Sequence, residues 1–285
     1  GRDRFTFDRY WSIEFSPDSQ MTNRHDDDLA DEFRSLLVES VRLRLRSDVS
    51  VGLTLSGGLD SSSIAALVAE IHANPLHTFS VNYPGSLHDE SQYVSALLER
   101  YSNIQPSVER PDGSDVADVM KRTVWHNDEP CWGPAVYSWW HVMQTVWRGN
   151  VTVVLNGQGA DKLLAGYPVY HPTYLRQLLK TVHLNRFRRE EKAWREASEL
   201  SFANGIKWLA APLWPNLVRK RLPNREAVRS YDDSFLHSEF RNSSKTGTRA
   251  DRKGLTSLAT HLREDLTRSR LPELLHAEDR FSMAF

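Results

Sequence analysis

The sequence predicts an α/β protein with a doubly wound parallel sheet, followed by a C-terminal extension that is mostly helical. Between residues 51 and 155, short apolar runs alternate with amphipathic segments. Strands separated by single helices form parallel sheets, because right-handed crossovers return the chain to the same edge. After Gly166 the strand patterns stop, and residues 171–285 combine helical or irregular patterns with proline, tryptophan and basic residues.

The first elements follow from hydrophobic periodicity. Residues 1–25 show no sustained period, so we expect an extended linker with aromatic anchors. A helix begins near Asp27, because apolar residues then recur at helical spacing: Leu29, Phe33, Leu36, Leu37, Val41 and Leu45. Residues 51–55 predict a strand, and the next helix carries one apolar face, made of Ile64, Leu67, Val68 and Ile71.

Further strand and helix patterns complete the sheet. Residues 76–81 predict a strand, and the following helix, from about Asp89, should bury Tyr93, Ala96 and Leu97. Next come a weak strand at 104–108, a helix near 114–125, a Trp-rich helix in "AVYSWWHVMQTVW" and a strand at 151–155. This last strand is apolar without alternation, which is typical of a strand buried on both faces. Residues 241–254 have almost no apolar content and predict a loop.

Composition excludes several classes of function. The 285 residues are 40% hydrophobic and 26% charged, which is ordinary for a soluble globular protein. The net charge of −1 gives no reason to expect nucleic acid or an anionic membrane as a partner. The longest apolar stretch, "IKWLAAPLWPNLV", contains a lysine and two prolines and is too short to span a bilayer. The single cysteine, Cys131, excludes an internal disulfide and a cysteine zinc site, so we expect a cytoplasmic location. We expect Cys131 itself to be a packed thiol and not a nucleophile.

The stretch "VGLTLSGGLDSSSIAALVAE" has the pattern of an anion-binding turn. A helix that begins directly after a buried parallel strand presents unpaired N–H groups at the carboxyl edge of the sheet. Gly57 and Gly58 let the backbone approach a ligand closely, serine hydroxyls add donors, and the helix end favours negative charge. The alternative is a glycine-rich turn in which Ser and Asp cap the helix.

Asp60 indicates a cation at the same place. A carboxylate repels a phosphate unless a cation lies between them, so Asp60 predicts Mg²⁺ shared with phosphate oxygens. Gly157 and Gly159 follow the last predicted strand, at the same edge of the sheet. If that strand neighbours the first one, Asp161 can converge with Asp60 on one Mg²⁺; a cap on the following helix is the alternative for Asp161. The turn is neither a Walker A loop nor a Gly-x-Gly-x-x-Gly loop.

Four stretches resemble known enzymes. "SGGLDSS" is similar to the pyrophosphate-binding loop of ATP pyrophosphatases, which include asparagine, GMP and NAD synthetases and several tRNA-modifying enzymes. Three others, in the same order along the chain, resemble motifs of the asparagine synthetase family: "HNDEPCWGPAVY" (126–137), "VVLNGQGADKLLAGYPVY" (153–170) and "SRLPELLHAEDRFSMAF" (269–285). The chain is therefore identified as similar to the synthetase domain of asparagine synthetase-like enzymes.

The resemblance implies a reaction and a site. ATP is cleaved between its α- and β-phosphates, with ATP and Mg²⁺ as cofactors, and a carboxylate is adenylated before ammonia displaces AMP. The residues implied for ATP binding are Thr54, Ser56, Gly57, Gly58, Leu59, Asp60, Ser61, Ser62, Val81 and Gly157. Within this set, Val81 and the main chain near Thr54 and Gly157 would contact adenine. Asp60 and Asp161 would hold Mg²⁺, and Gln158 and Asp161 would be catalytic.

It also implies an organisation and partners. Residues 26–170 would be the nucleotide-binding region of an ATP pyrophosphatase with a HUP-like fold, and 171–285 the helical part of the synthetase domain, ending inside a motif. Residues 1–25 resemble the linker that follows a glutaminase domain, which we expect on the same parent chain. The expected substrates are aspartate or another carboxylate and ammonia from glutamine. A homodimer is one arrangement that the resemblance leaves open.

Two positions depart from the family pattern. Gln158 stands where many members have a glutamate, and an amide can orient a substrate but cannot take a proton. Lys162 stands where the family usually has a second acid, and one interpretation is an exposed residue on the first helical turn. The alternatives therefore include a β-lactam synthetase-like or lasso-peptide cyclase-like enzyme, and an ATP-binding module without catalysis. A single cysteine disfavours a tRNA-thiolating enzyme.

Overall fold

A computed structural model gives the fold, and it describes residues 8–13, 24–72, 74–86, 89–130, 133, 135–197 and 257–285. The chain forms two compact units, residues 1–160 with 268–285, and residues 161–267. Most of the predicted linker, Cys131 and the predicted loop at 241–254 lie outside the described residues. The domain boundaries expected from the sequence stay a prediction.

The first unit contains a parallel sheet of four strands. They are β1 (Val51–Thr54), β2 (Leu76–Val81), β3 (Ile104–Glu109) and β4 (Val153–Leu155). Their order is β3-β2-β1-β4, and every neighbouring pair is parallel. The order therefore reverses between β1 and β4, which confirms a doubly wound sheet. Ligands bind at such a reversal, because the loops after the two strands diverge there and leave a crevice.

Helices connect and cover the strands, as predicted. In the first unit they are α1 (Asp26–Arg44), α2 (Leu59–Ile71), α3 (Ser91–Arg100), α4 (Val116–Asn127) and α5 (Ala135–Arg148). The short helix α6 (Ala160–Leu163) leads into the second unit, which contains α7 (His171–Lys180), α8 (Leu184–Ala197) and α9 (Leu258–Thr267). The last helix, α10 (Arg270–Ser282), belongs to the first unit. The described part of the C-terminal extension is helical, in agreement with the prediction.

Two apolar clusters form the main core of the first unit. One lies between the sheet and α2, where Leu53, Ala65 and Val68 are completely buried. The other joins α4, α5 and α10 around Trp140 and Phe281. Because α10 is anchored in this second cluster, it has a fixed position against the rest of the unit.

Two predicted burial patterns are wrong. In α3 the buried residue is Val94, and Tyr93 is 57% exposed, because the neighbouring face of the helix, one residue further on, packs against the core. Strand β4 is only partly buried, since it ends the row of described strands.

The second unit has its own small core. Leu175, Leu178 and Trp194 of α7 and α8 form an apolar cluster. Tyr170 is completely buried, and its hydroxyl donates a hydrogen bond to Asp265 Oδ2 at 2.8 Å. Among the described residues of both units, no helix has the length and apolar character needed to cross a membrane. A cytoplasmic location stays a prediction.

Candidate functional site

The turn after β1 has a shape that only glycine allows at one position. Gly57 has a φ of +95° and is buried. A Cβ atom there would lie 2.9 Å from the carbonyl oxygen of Glu90. The backbone therefore approaches the segment before α3 more closely than a side chain permits, and a positive φ adds strain for any other residue. Glycine is therefore required at position 57 for steric reasons.

Serine hydroxyls fasten this turn to the start of α2. Ser56 Oγ lies 3.1 Å from Ser61 Oγ and accepts a hydrogen bond from the Gly58 N–H at 3.2 Å. Ser61 Oγ in turn lies within hydrogen-bonding distance of the Gly58 carbonyl oxygen, at 3.2 Å. The next hydroxyl, Ser62 Oγ, is buried without a hydrogen-bond partner among the described residues. Thus Ser56 and Ser61 connect the loop to the first turn of α2.

The N-terminus of α2 carries the features of an anion site. Its N-cap residue is Gly58, which makes no side-chain capping hydrogen bond, so the alternative of a Ser or Asp cap is wrong. Asp60 is the acidic residue of the first turn, and Leu59 before it is 83% exposed. The first N–H groups of a helix have no partner within the helix. This uncapped turn, with hydroxyls beside it, fits a phosphate group.

The loop after β4 comes into direct contact with this turn. The two strands pair in register, with Leu53 opposite Leu155. A Cβ atom on Gly157 would lie 3.0 Å from both Asp60 Cβ and the main-chain nitrogen of Ser61. The structure therefore brings Gly157 and Asp60 together, and the condition set in the sequence analysis, that these two strands are neighbours, is met.

Sequence reasoning missed a residue that shapes the second loop. Asn156 Nδ2 donates a hydrogen bond to Glu278 Oε2 of α10 at 2.8 Å, and Asn156 Oδ1 accepts one from the Gln158 N–H at 3.0 Å. Gly159 has a φ of +101° and packs over Leu271 of α10. The position directly after a strand was the available signal, but the partner is 122 residues further along the chain.

The residues predicted to contact adenine lie at the ends of β1 and β2. Val81 is the last residue of β2 and is partly buried, and Thr54 is the last residue of β1. Ser80 Oγ donates a hydrogen bond to the Leu55 carbonyl oxygen at 2.5 Å, which holds the two strand ends together. In the loop after β2, hydrogen bonds from the Ser91 side chain and main chain lower the pKa of Asp89.

A polar cluster follows β3, in which the Tyr137 and His141 side chains are buried and Asp115 is partly exposed. The Tyr137 hydroxyl of α5 donates a hydrogen bond to Asp115 Oδ1 at 2.5 Å, and His141 Nε2 lies 3.5 Å from Asp115 Oδ2. The tyrosine hydrogen bond lowers the pKa of Asp115, whereas burial, followed by that bond, raises the pKa of Tyr137 to about 12. This cluster fixes the first turns of the Trp-rich helix.

Asp161 and Lys162 belong to the second unit, whereas Asp60 belongs to the first. A Cβ atom on Gly166 would collide with Asp161 Oδ1, so this glycine makes room for the carboxylate. Lys162 is only 1% exposed, and the expectation of an exposed lysine is wrong. Its side chain is turned inward to Tyr167, with Nζ 3.1 Å from the hydroxyl.

The donor set is compatible with a nucleotide-bound Mg²⁺. The described residues contain no cluster of three or more His, Cys, Asp or Glu side chains that could hold a metal ion. Mg²⁺ commonly binds one or two carboxylates and completes its shell with substrate phosphates and water. Asp60, on an uncapped helix turn suited to phosphate, fits that mode of binding.

Comparison with known proteins gives the family. A profile of the family described as asparagine synthase matches residues 32–285. Asparagine synthetase (glutamine-hydrolyzing) 1 of Bacillus subtilis is 35% identical over 168 residues, 58% of this chain and 25% of the relative. A putative asparagine synthetase (glutamine-hydrolyzing) 2 of Methanocaldococcus jannaschii is 34% identical over 157 residues, 53% of this chain and 30% of the relative.

A fungal relative has a different name. The amidase chyE of Penicillium rubens is 27% identical over 179 residues, 58% of this chain and 27% of the relative. The matched stretches span between a quarter and a third of the length of these curated relatives. The family profile, in contrast, covers all four strands, both glycine loops and α10. The chain belongs to the asparagine synthase family.

Proposed function

We propose that this protein is an ATP-dependent, amide-forming ligase. It adenylates a carboxylate, for which we propose the side chain of aspartate, and transfers ammonia to the activated carbonyl. The observation that carries the proposal is the contact between Gly157 and the uncapped turn at Asp60. Through this contact, the two glycine loops meet between β1 and β4, where the strand order reverses. Proteins with α/β folds bind nucleotides at such reversals.

ATP would lie along the carboxyl edge of the sheet. The main-chain N–H groups at the start of α2, where no side chain caps the helix, would hold the β- and γ-phosphates. Adenine would pack on Val81 and on the main chain near Thr54 and Gly157. Asp60 and Asp161 would hold Mg²⁺, which supplies charge neutralisation at the phosphates.

The reaction takes place in two steps. A carboxylate oxygen attacks the α-phosphorus, the bond from this phosphorus to the bridging oxygen breaks, and pyrophosphate leaves with the electron pair. The turn stabilises the charge on that leaving group with donors that are already oriented. Ammonia then attacks the acyl carbonyl, AMP leaves, and ammonia loses a proton to water. Gln158 orients the acyl group through its amide but accepts no proton, because an amide has no basic site near neutral pH.

The glutamine-hydrolysing names of the relatives support a glutaminase domain as the source of ammonia. Free ammonia bypasses this domain and so makes the test independent of it. The protein is incubated with Mg·ATP, ammonium and aspartate, and AMP, pyrophosphate and asparagine are measured together. We expect the three products in equal amounts.

A second candidate is an enzyme that uses another carboxylate or an internal amine. Gln158, in place of the usual glutamate, and the fungal relative named as an amidase favour it. AMP and pyrophosphate that appear with a different amino-carboxylate, and not with aspartate, would identify this candidate. Binding of Mg·ATP without AMP release, for every carboxylate tried, would contradict both and leave a nucleotide-binding module.

A further inference from the structure

Lys162 is a buried cation in contact with an aromatic ring. Its residue is 1% exposed, and Nζ lies 3.1 Å from the Tyr167 hydroxyl and 4.8 Å from the centre of the same ring. Burying an ammonium group is costly unless polar partners replace its water. The hydroxyl and the electron-rich face of the ring both stabilise the positive charge. The contact with Tyr167 therefore stabilises Lys162 in its buried position.

The contact closes a turn that contains Asp161. The Gly166 N–H donates a hydrogen bond to the Asp161 carbonyl oxygen at 2.8 Å, and Ala165 has a φ of +59°. The Asp161 carboxylate lies over Gly166, where a Cβ atom would collide with it. Lys162 and Tyr167 are at the two ends of this turn. A change in their contact would thus displace the segment on which the carboxylate rests.

We propose that Lys162 and Tyr167 form a positioning pair that sets the place of the Asp161 carboxylate. The inference rests on the proposed function, in which Asp161 helps to hold Mg²⁺. It also explains the reversed charge at position 162. An acid there would place a carboxylate against the negative face of the Tyr167 ring, whereas lysine is attracted to it. Lysine at 162 and tyrosine at 167 therefore stabilise each other.

The test compares four variants with the unmodified protein. K162M removes the charge, Y167F removes the hydroxyl and keeps the ring, and K162R keeps a cation that can lie on the ring. K180M is the matched control, because Lys180 is exposed at the end of α7 in the same unit. For each protein we would measure the Mg²⁺ concentration at half-maximal ATP binding, the affinity for AMP, and the melting temperature without ligand.

The expected order follows from the contacts that each change removes. Loss of residues that orient metal ligands typically lowers metal affinity by about 10–100-fold. K162M should therefore raise the Mg²⁺ midpoint about tenfold, Y167F less, and K162R and K180M by less than about twofold. AMP affinity should stay the same in all of them, because AMP lacks the phosphates that bridge to Mg²⁺.

Each result has a clear meaning. If the unmodified protein does not bind Mg·ATP, the proposed function fails, and the positioning pair has no metal to act on. If it binds and folded K162M or Y167F has the same Mg²⁺ midpoint, only the inference is overturned, even when the melting temperature falls. If K162M does not fold, Y167F decides, since the ring remains in place.

Discussion

The two glycine loops at the carboxyl edge of the sheet differ in what holds them. The loop after β1 is shaped by its own residues, through the Ser56–Ser61 contact and the positive φ of Gly57. The loop after β4 depends on α10, through Asn156 and Glu278 and through the packing of Gly159 on Leu271. The two positions that depart from the family pattern in the sequence analysis, Gln158 and Lys162, both follow β4.

This difference would separate two parts of the proposed reaction. A loop held mainly by its own residues can keep the same geometry in many proteins, which would suit the proposed cleavage of ATP. A loop supported from a distant helix can change its side chains while its backbone stays in place. We therefore expect changes in the first loop to affect nucleotide binding. Changes at Asn156 and Gln158 in the second loop, away from the Gly157 contact, should affect mainly the acceptor step.

The largest effect is expected for Asp60→Asn in the first loop. Loss of one charged interaction of about 1.5–3 kcal/mol corresponds to a tenfold to hundredfold loss of Mg·ATP affinity. Isothermal titration of ATP at fixed Mg²⁺ measures it. Asp48→Asn is the control, since Asp48 is exposed in the turn before β1, and should bind as the unmodified protein does. Equal binding by the two variants would contradict the assignment of Asp60.

Gly157→Ala tests the contact between the loops. The added Cβ would lie 3.0 Å from Asp60 Cβ and from the Ser61 nitrogen, so the loops must separate. Overpacking of this kind costs about 1–3 kcal/mol, and we expect Mg·ATP affinity to fall about tenfold.

Gly149→Ala is the matched control for this change. Its Cβ would lie 2.9 Å from the Phe79 ring, in the core. It should lower the melting temperature in thermal unfolding and leave ATP affinity within about twofold. If the two alanine variants lose ATP affinity equally, the contact at Gly157 has no special role.

Asn156→Ala removes the link from the second loop to α10. Leaving polar groups without their partners costs about 1–3 kcal/mol, so the melting temperature should fall in thermal unfolding. Amide formation should slow more than ATP binding weakens, because the hydrogen bond to the Gln158 N–H is lost as well. A variant that loses ATP affinity and keeps its rate of amide formation at saturating ATP would reverse the assignment of the loops.

The smallest effect on nucleotide binding is expected for Gln158→Glu. The side chains have nearly the same shape, and the main-chain hydrogen bond to Asn156 is unchanged. Mg·ATP affinity should stay within about twofold of the unmodified protein, while the acceptor step gains a group that can take a proton. A tenfold change in ATP affinity would show that position 158 contacts the phosphates, against the division of roles between the loops.

Local patterns predicted most of this edge of the sheet. The strand–turn–helix at Ser56 and the glycines after β4 follow from short-range rules, and the structure agrees. For α3 the pattern predicts a buried face with Tyr93, Ala96 and Leu97, but the structure buries Val94, because adjacent helix faces have similar apolar content and tertiary packing selects one. The role of Asn156 could not be predicted locally, because its partner Glu278 is 122 residues further along the chain. The partner of Lys162, Tyr167, is only five residues away, but the burial of the lysine depends on the folded structure.

The most direct test of the account is an isotope transfer from carboxylate to AMP. Aspartate labelled with ¹⁸O in its side-chain carboxylate is incubated with the protein, Mg·ATP and ammonium, and AMP is analysed by mass spectrometry. Attack of the carboxylate on the α-phosphorus predicts one ¹⁸O atom in each AMP, and one fewer in the asparagine formed. AMP without label, or ADP and phosphate in its place, would contradict adenylation as the central step.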